Sequence, residues 1–173
     1  MGNPRALTHL FYGGNGTTTV ESGLPSVGVQ YGVEQNGDLL WYRYDGQGEK
    51  DPSGSTGWAA NSGTTIGNAW QSFRQISGCG NGVILAIRQN GDLHWYRHNH
   101  HEDGSPGEDG SPAWDPNSGN QIGNGWLFQT VFVTPQEGTA PGRLGIYAVA
   151  QNGDLLWYSY SGNGEKDPSG RLG

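Results

Sequence analysis

The chain of 173 residues has one cysteine, one methionine and few charges, with only 14% Asp, Glu, Lys and Arg. With Cys79 alone, no disulfide framework can form within the chain. It sits in Ser77-Gly78-Cys79-Gly80, which reads as a thiol in a loop between strands. Apolar residues reach only 32%, and the mean hydropathy is -0.67. No apolar run approaches the length of a membrane span, so no membrane insertion is expected. No window carries a 3.6-residue apolar period, so helices are not expected either. Basic residues are scarce, and the net charge of -7 leaves no cationic face for nucleic acid or for an anionic membrane surface. A neutral partner fits better. The start Met1-Gly2-Asn3-Pro4 lacks the basic and apolar regions of a signal peptide, and Ala6 spoils a myristoylation match. The expectation is a cytoplasmic protein, or one exported by an unusual route. On that view the formal glycosylation acceptor Asn15-Gly16-Thr17 goes unused. Neither Gly-x-Ser-x-Gly nor His-Glu-x-x-His occurs, and no catalytic set, metal site or cofactor is assigned.

Glycine, tryptophan and tyrosine are what the chain does have. Glycine at 32 of 173 residues would suit a disordered chain, but 7 Trp and 8 Tyr can each bury a large area. Short strands joined by tight turns reconcile the two. One heptad occurs three times: Asn36-Gly37-Asp38-Leu39-Leu40-Trp41-Tyr42, Asn90-Gly91-Asp92-Leu93-His94-Trp95-Tyr96 and Asn152-Gly153-Asp154-Leu155-Leu156-Trp157-Tyr158. Asn-Gly supplies the two positive-φ positions of a type I′ turn. An alternating strand enters each turn, as in Val27, Val29, Tyr31 and Val33, and another leaves it. Each heptad therefore predicts the turn and second strand of a β-hairpin.

A second motif lies between the heptads. Ile66-Gly67-Asn68-Ala69-Trp70 returns as Ile122-Gly123-Asn124-Gly125-Trp126, each preceded by a lone Trp, Trp58 or Trp114. A strand follows each motif, Ser72 to Ile76 and Phe128 to Val133, and is read as the last of its unit. Four short strands per unit predict an all-β fold, a β-propeller of four-stranded antiparallel blades with about three blades in the chain. The approximate units are 13–76, 77–132 and 133–173, the last completed by 1–12, in one repeat domain spanning 1–173. Loop lengths differ because Glu102-Asp103-Gly104-Ser105-Pro106-Gly107 is copied almost at once in Glu108 to Pro112, which reads as a surface loop. Three blades are too few for a ring. Either the chain is a fragment, or two chains form a homodimer that completes a six-bladed ring.

The order Asn-Gly-Asp-Leu-x-Trp-Tyr, loop Trp, Ile-Gly-Asn-x-Trp resembles the tachylectin family of β-propeller lectins. That resemblance covers nearly the whole chain. It implies a non-catalytic, multivalent carbohydrate-binding lectin whose partners are glycans bearing N-acetylated hexosamines, such as N-acetylglucosamine and N-acetylgalactosamine. It also implies sugar sites between neighbouring blades. Carried over, these are Trp58 with Ile66, Gly67, Asn68 and Trp70, and Trp114 with Ile122, Gly123, Asn124 and Trp126. The third unit lacks its loop Trp, and Arg5 stands where the motif Trp would align. The residue chemistry suits the implied ligand independently. A pyranose stacks its C–H face on an aromatic ring, while its hydroxyls and acetamide need directed polar partners.

Other readings compete at several positions. Trp41, Trp95 and Trp157 read as packing between blades rather than ligand platforms. Asp38, Asp92 and Asp154 follow a turn glycine and read as turn chemistry rather than catalysis. Trp70 and Trp126 fit core and site equally. His94, His98, His100 and His101 read as a solvated loop rather than a metal cluster. A protein-binding propeller scaffold is the main alternative function, and a glycosidase with distant carboxylates is a third.

Overall fold

A computed structural model describes residues 6–14, 28–44, 57–135 and 144–165. Over these the chain is all-β, with antiparallel sheets and one short 3-10 turn, Trp70–Ser72. Three sheets follow one another in chain order. The first comprises β1 (Leu7–Gly14), β2 (Val29–Glu34), β3 (Leu39–Arg43) and β4 (Thr64–Gly67). The second comprises β5 (Phe73–Gly80), β6 (Val83–Arg88), β7 (Leu93–Arg97) and β8 (Asn120–Gly123). The third has three described strands, β9 (Thr130–Pro135), β10 (Leu144–Val149) and β11 (Leu155–Tyr160).

The heptads do form hairpins, with a different turn from the one expected. In the first, Gly37 N–H donates to the Glu34 carbonyl and Glu34 N–H to the Asp38 carbonyl, both at 2.9 Å. Gly37 takes φ 92°, whereas Asn36 is not among the residues at positive φ. The loop is therefore a turn closed by one glycine in the left-handed region, not a two-residue type I′ turn. Asn serves through its side chain instead. Asn36 Nδ2 donates to Asp38 Oδ2, and Asp38 N–H donates to Asn36 Oδ1. The same pair of bonds holds Asn90 to Asp92 and Asn152 to Asp154. The three Asp residues accordingly act in turn chemistry.

The sheets begin one strand earlier than the frame read from the sequence. The segments after Ile-Gly-Asn-x-Trp do not close their units. Ser72 to Ile76 enters β5, the first strand of the second sheet, and Phe128 to Val133 leads into β9 of the third. Likewise the described part of 1–12 does not complete the third sheet. It lies in β1, where Leu7 faces Glu34 and Phe11 faces Tyr31 of β2. The fourth strand is the motif Ile-Gly itself, paired through β4 with β3 and through β8 with β7. Four residues with little alternation give no strand signal, and regular spacing does not say where a cyclic unit starts.

The first strands of successive sheets lie side by side, β1 against β5 and β5 against β9. The approach is close enough that a Cβ on Gly78 would strike the Tyr12 carbonyl. This places Cys79 in a strand rather than a loop. The thiol is buried, and burial pushes its pKa up to about 12, so it is not a nucleophile at neutral pH.

The core lies between the sheets. One cluster joins Val29, Tyr31, Val33, Leu39 and Trp41 of the first sheet to Phe73, Ile84 and Ala86 of the second. Another joins Leu85, Ile87, Leu93 and Trp95 of the second to Val131, Leu144, Ile146 and Ala148 of the third. Trp41 and Trp95 are thus inter-sheet core, as the heptad suggested. Trp41 also donates its indole N–H to the His101 carbonyl at 2.8 Å, where Gly104 approaches its ring too closely to carry a Cβ. Each sheet has apolar side chains on both faces, so its strands are stable only as part of a stack.

The histidines depart from the solvated loop expected of them, because His94 lies in β7 and the loop that covers Trp41 carries His98 and His101 inward. His94, His98 and His101 are all buried. His94 receives Arg88 Nε at 3.1 Å on Nε2, and its Nδ1 lies 2.9 Å from the Gly119 carbonyl. His98 Nδ1 meets Tyr31 Oη at 3.3 Å. Among the described residues no three His, Cys, Asp or Glu side chains converge as a metal site.

Truncation of either core indole should lower the unfolding free energy by about 3–5 kcal/mol. Denaturant titration of Trp41→Ala and Trp95→Ala checks this. Failure to fold would agree with it, and a loss under about 1 kcal/mol would contradict it. Burial lowers the His98 pKa from 6.5 to about 4, and the nearby His101 and His100 lower it further against the opposing pull of Asp103. The folded state holds this imidazole neutral while the unfolded chain protonates it near 6.5. Its contribution is therefore fully present above pH 6.5 and is lost as pH falls towards 4, by up to about 3 kcal/mol. Thermal unfolding against pH should show this acid limb. Substituting His98→Tyr, the residue that the other two units carry there, should make it shallower, leaving the part due to His101, whose pKa burial also lowers.

Candidate functional site

The two sequence motifs are joined by hydrogen bonds. Trp70 N–H donates to the Gly37 carbonyl at 3.0 Å, and Trp126 N–H to the Gly91 carbonyl at 2.9 Å. The carbonyl of each heptad glycine therefore anchors the following Trp. Between them the chain turns at Ala69 (φ 62°) and Gly125 (φ 73°), a conformation only small or flexible residues hold cheaply. The Trp then folds back over the motif glycine. A Cβ on Gly67 would lie 2.6 Å from Trp70 Nε1, and Gly123 is equally crowded by Trp126. Glycine, small residue and Trp are thus one steric unit, in which Gly67 is half-buried beside its indole and Gly123 is buried.

That unit meets the next sheet. Gly67, Asn68 and Trp70 of the first sheet, with Tyr96, Trp114, Asp115 and Ser118 of the second, line a cleft of about 280 Å³. Trp114 donates its indole N–H to the Ile66 carbonyl at 2.8 Å and ties the two walls together. The Trp70 ring lies 4.7 Å from Tyr96 and 6.0 Å from Trp114, nearly parallel to the latter at 24°. Trp70 is buried under this cluster, while Asn68 is exposed at the rim. Asp115 Oδ1 accepts the Asn117 N–H at 2.9 Å. Ser118 Oγ bonds the backbone of Arg97 on both sides. Both are thereby fixed in place.

The structure therefore regroups the two sets read from the sequence. Gly67, Asn68 and Trp70 do not share a cleft with Trp58. They share one with Trp114 of the following unit, because neighbours in space are successive sheets rather than successive motifs. Trp58 heads a second cleft of about 390 Å³ with Tyr42, Ala59, Ala60 and Ser62. There it packs edge-on to Tyr42 and Tyr44. This is the Tyr96, Trp114 and Ser118 half of the first cleft, repeated on the face of the first sheet that no other described sheet covers, with Ala59 in place of Asp115. Ile122, Gly123, Asn124 and Trp126 meet the third sheet, where Trp126 packs 4.9 Å from Tyr158. The third unit has no counterpart of Trp58 or Trp114 in this sequence to face them. Ile66 and Ile122 are buried and take part through their backbone and packing rather than as contact surfaces. Arg5 also lies outside the described residues.

Tyr96, Asp115 and Ser118 escaped the sequence reading. Tyr96 had a signal, since Tyr follows Trp in every heptad and alternation sends the two to opposite faces. Trp95 enters one core, so Tyr96 must serve the other junction. Ser118 had one too, since Asn-Ser-Gly recurs three residues after each loop Trp at Asn61 and Asn117, whereas Asp115 had none, because the first unit has Ala59 at its position.

A comparison with protein-family models matches the one described as Tachylectin over residues 14–169. Comparison with curated proteins and with solved structures finds no significant match. The Tachylectin match takes in all three heptads, both Ile-Gly-Asn-x-Trp motifs and the described cleft. The chain belongs to the Tachylectin family, a family of lectins, and its role is of the carbohydrate-binding type.

Proposed function

We propose that the cleft between the first and second sheets binds an N-acetylated hexosamine at the end of a glycan. The observation that carries this is the joining of Trp70, Tyr96 and Trp114 with Asn68, Asp115, Ser118 and the half-buried Gly67 in one small cleft. The aromatic faces suit the apolar side of a pyranose. Asp115 suits a pair of hydroxyls, and Asn68 with the backbone of Gly67 suits an acetamide, which needs both a donor and an acceptor. A cleft of about 280 Å³ fits a monosaccharide better than a larger ligand. Asp115 is its one carboxylate among the described lining residues, which favours binding over hydrolysis by a carboxylate pair.

Parts of the same cleft recur around Trp58 and around Trp126, which supports further, weaker sites beside the complete one and binding to glycan-coated surfaces through avidity. The stacked sheets are read as blades of a propeller, and two chains are read as sharing one ring of six. A protein-binding scaffold remains as the reading that a blank glycan array would favour.

Titration with a free N-acetylhexosamine should show one strong site per chain. Trp114→Ala should abolish it, and Asp115→Ala, which copies the residue at Ala59, should weaken it about tenfold through loss of a charged hydrogen bond. Trp58→Ala should leave it intact. Unchanged binding in Trp114→Ala, with the β circular-dichroism signal retained, would overturn the assignment.

A further inference from the structure

The three sheets carry the same cross-strand row on one face. It runs Phe11, Tyr31, Trp41 in the first sheet and Ser77, Leu85, Trp95 in the second. In the third it runs Phe132, Tyr147, Trp157. The first two rows are covered by the sheet that follows, and Trp41 and Trp95 are 0% and 2% exposed. The third is bare among the described residues. Trp157 is 57% exposed, Leu155 63% and Phe132 46%, while Phe132 stacks flat on Tyr147 at 5.0 Å and 6°. The row is ordered as packing requires, but among the described residues no sheet is packed on it. Large apolar patches of this kind mark interaction surfaces.

The surface that would cover it is also present at the other end of the chain. Trp41 is covered by the face of the second sheet that carries Phe73, Ile76, Ala86 and Tyr96. Strand register gives the counterparts in the first sheet. Leu7 faces Glu34 as Phe73 faces Arg88, and Leu10 faces Gly32 as Ile76 faces Ala86. Tyr42 holds the heptad position of Tyr96. Leu7 and Leu10 are 39% and 62% exposed, and Gly32 forms a floor between Leu7 and Tyr42 where a Cβ would touch both. Gln30, at the position of Ile84, is the polar exception.

We propose that the Trp157 face of the third sheet docks on the Leu7, Leu10 and Tyr42 face of the first sheet in a second copy of this chain, head to tail. The contact deepens the two-chain ring proposed above, and it does not depend on which sugar binds. It repeats an interface that each chain already makes twice within itself, so complementarity is built in. Two copies related by a twofold axis make the contact twice and leave neither face bare.

The test is mass in solution by light scattering, with charges placed on each face. Wild type should run at twice 18.5 kDa. Trp157→Glu and Leu10→Lys alter exposed side chains and should each give a folded chain of single mass. An equimolar mixture of the two variants should recover the double mass, because one joint is then wild type and the other pairs Glu with Lys. A monomeric wild type would overturn the proposal, as would a dimer insensitive to either change. So would a mixture that stays monomeric or a Leu10→Lys variant that remains dimeric, since the latter marks two Trp157 faces meeting each other. Free-sugar affinity should be unchanged in both variants, whereas cross-linking of glycan-coated beads should be lost. Loss of free-sugar binding in wild type would count against the cleft and not against the joint.

Discussion

Everything in this structure depends on burying Trp41 and Trp95 beneath the next sheet. Alternation along β3 and β7 puts the indole on one face and the tyrosine that follows it on the other. A strand built this way has no solvent face, and its sheet needs a neighbour on each side. The indole N–H adds a direction to that need. Unpaired in a core it would cost roughly 1–3 kcal/mol, and Trp41 satisfies it with the His101 carbonyl of the next sheet. Trp114 makes the reciprocal tie, reaching back to the Ile66 carbonyl of the preceding sheet. Hydrophobic burial brings the sheets together, and these bonds set how they are aligned.

The cleft is a by-product of that alignment. Its aromatic side chains are already required for packing, and Gly67 is small because Trp70 lies across it. Its opening is set by a turn whose amide is held by the hairpin of the same sheet. On the proposed function, recognition chemistry enters only at the margins, at Asn68, Asp115 and Ser118. This explains why the first unit can carry Ala59 where the second carries Asp115 without disturbing the fold.

What could be read from the sequence was what repeats along the chain. The three hairpins followed from Asn-Gly and period-two alternation, and the packing role of Trp41 and Trp95 followed from their recurrence. What could not be read was what neighbours what. The frame of the sheets was hidden because β4, with Thr64 and Thr65 exposed, has no alternation to detect. The partner of Asn68 and Trp70 was hidden because Trp58 is nearer in sequence than Trp114. The burial of His98 was hidden because a polar loop gives no sign that it closes over an indole and a tyrosine. In the candidate site the indoles, glycines and asparagines were legible as types, and their grouping was legible only in space.

The cleft between the first two sheets has a consequence for mechanics. A ligand seated there touches two separately hydrogen-bonded sheets at once, so its binding free energy is also sheet-to-sheet adhesion. Occupancy at a hundred times the dissociation constant adds about 2.7 kcal/mol against any opening that parts the walls. In a stack, the number of such rivets is set by the junctions and not by the sheets. An open row of sheets always has one junction fewer than a closed ring, so closure adds both a site and the adhesion that comes with filling it.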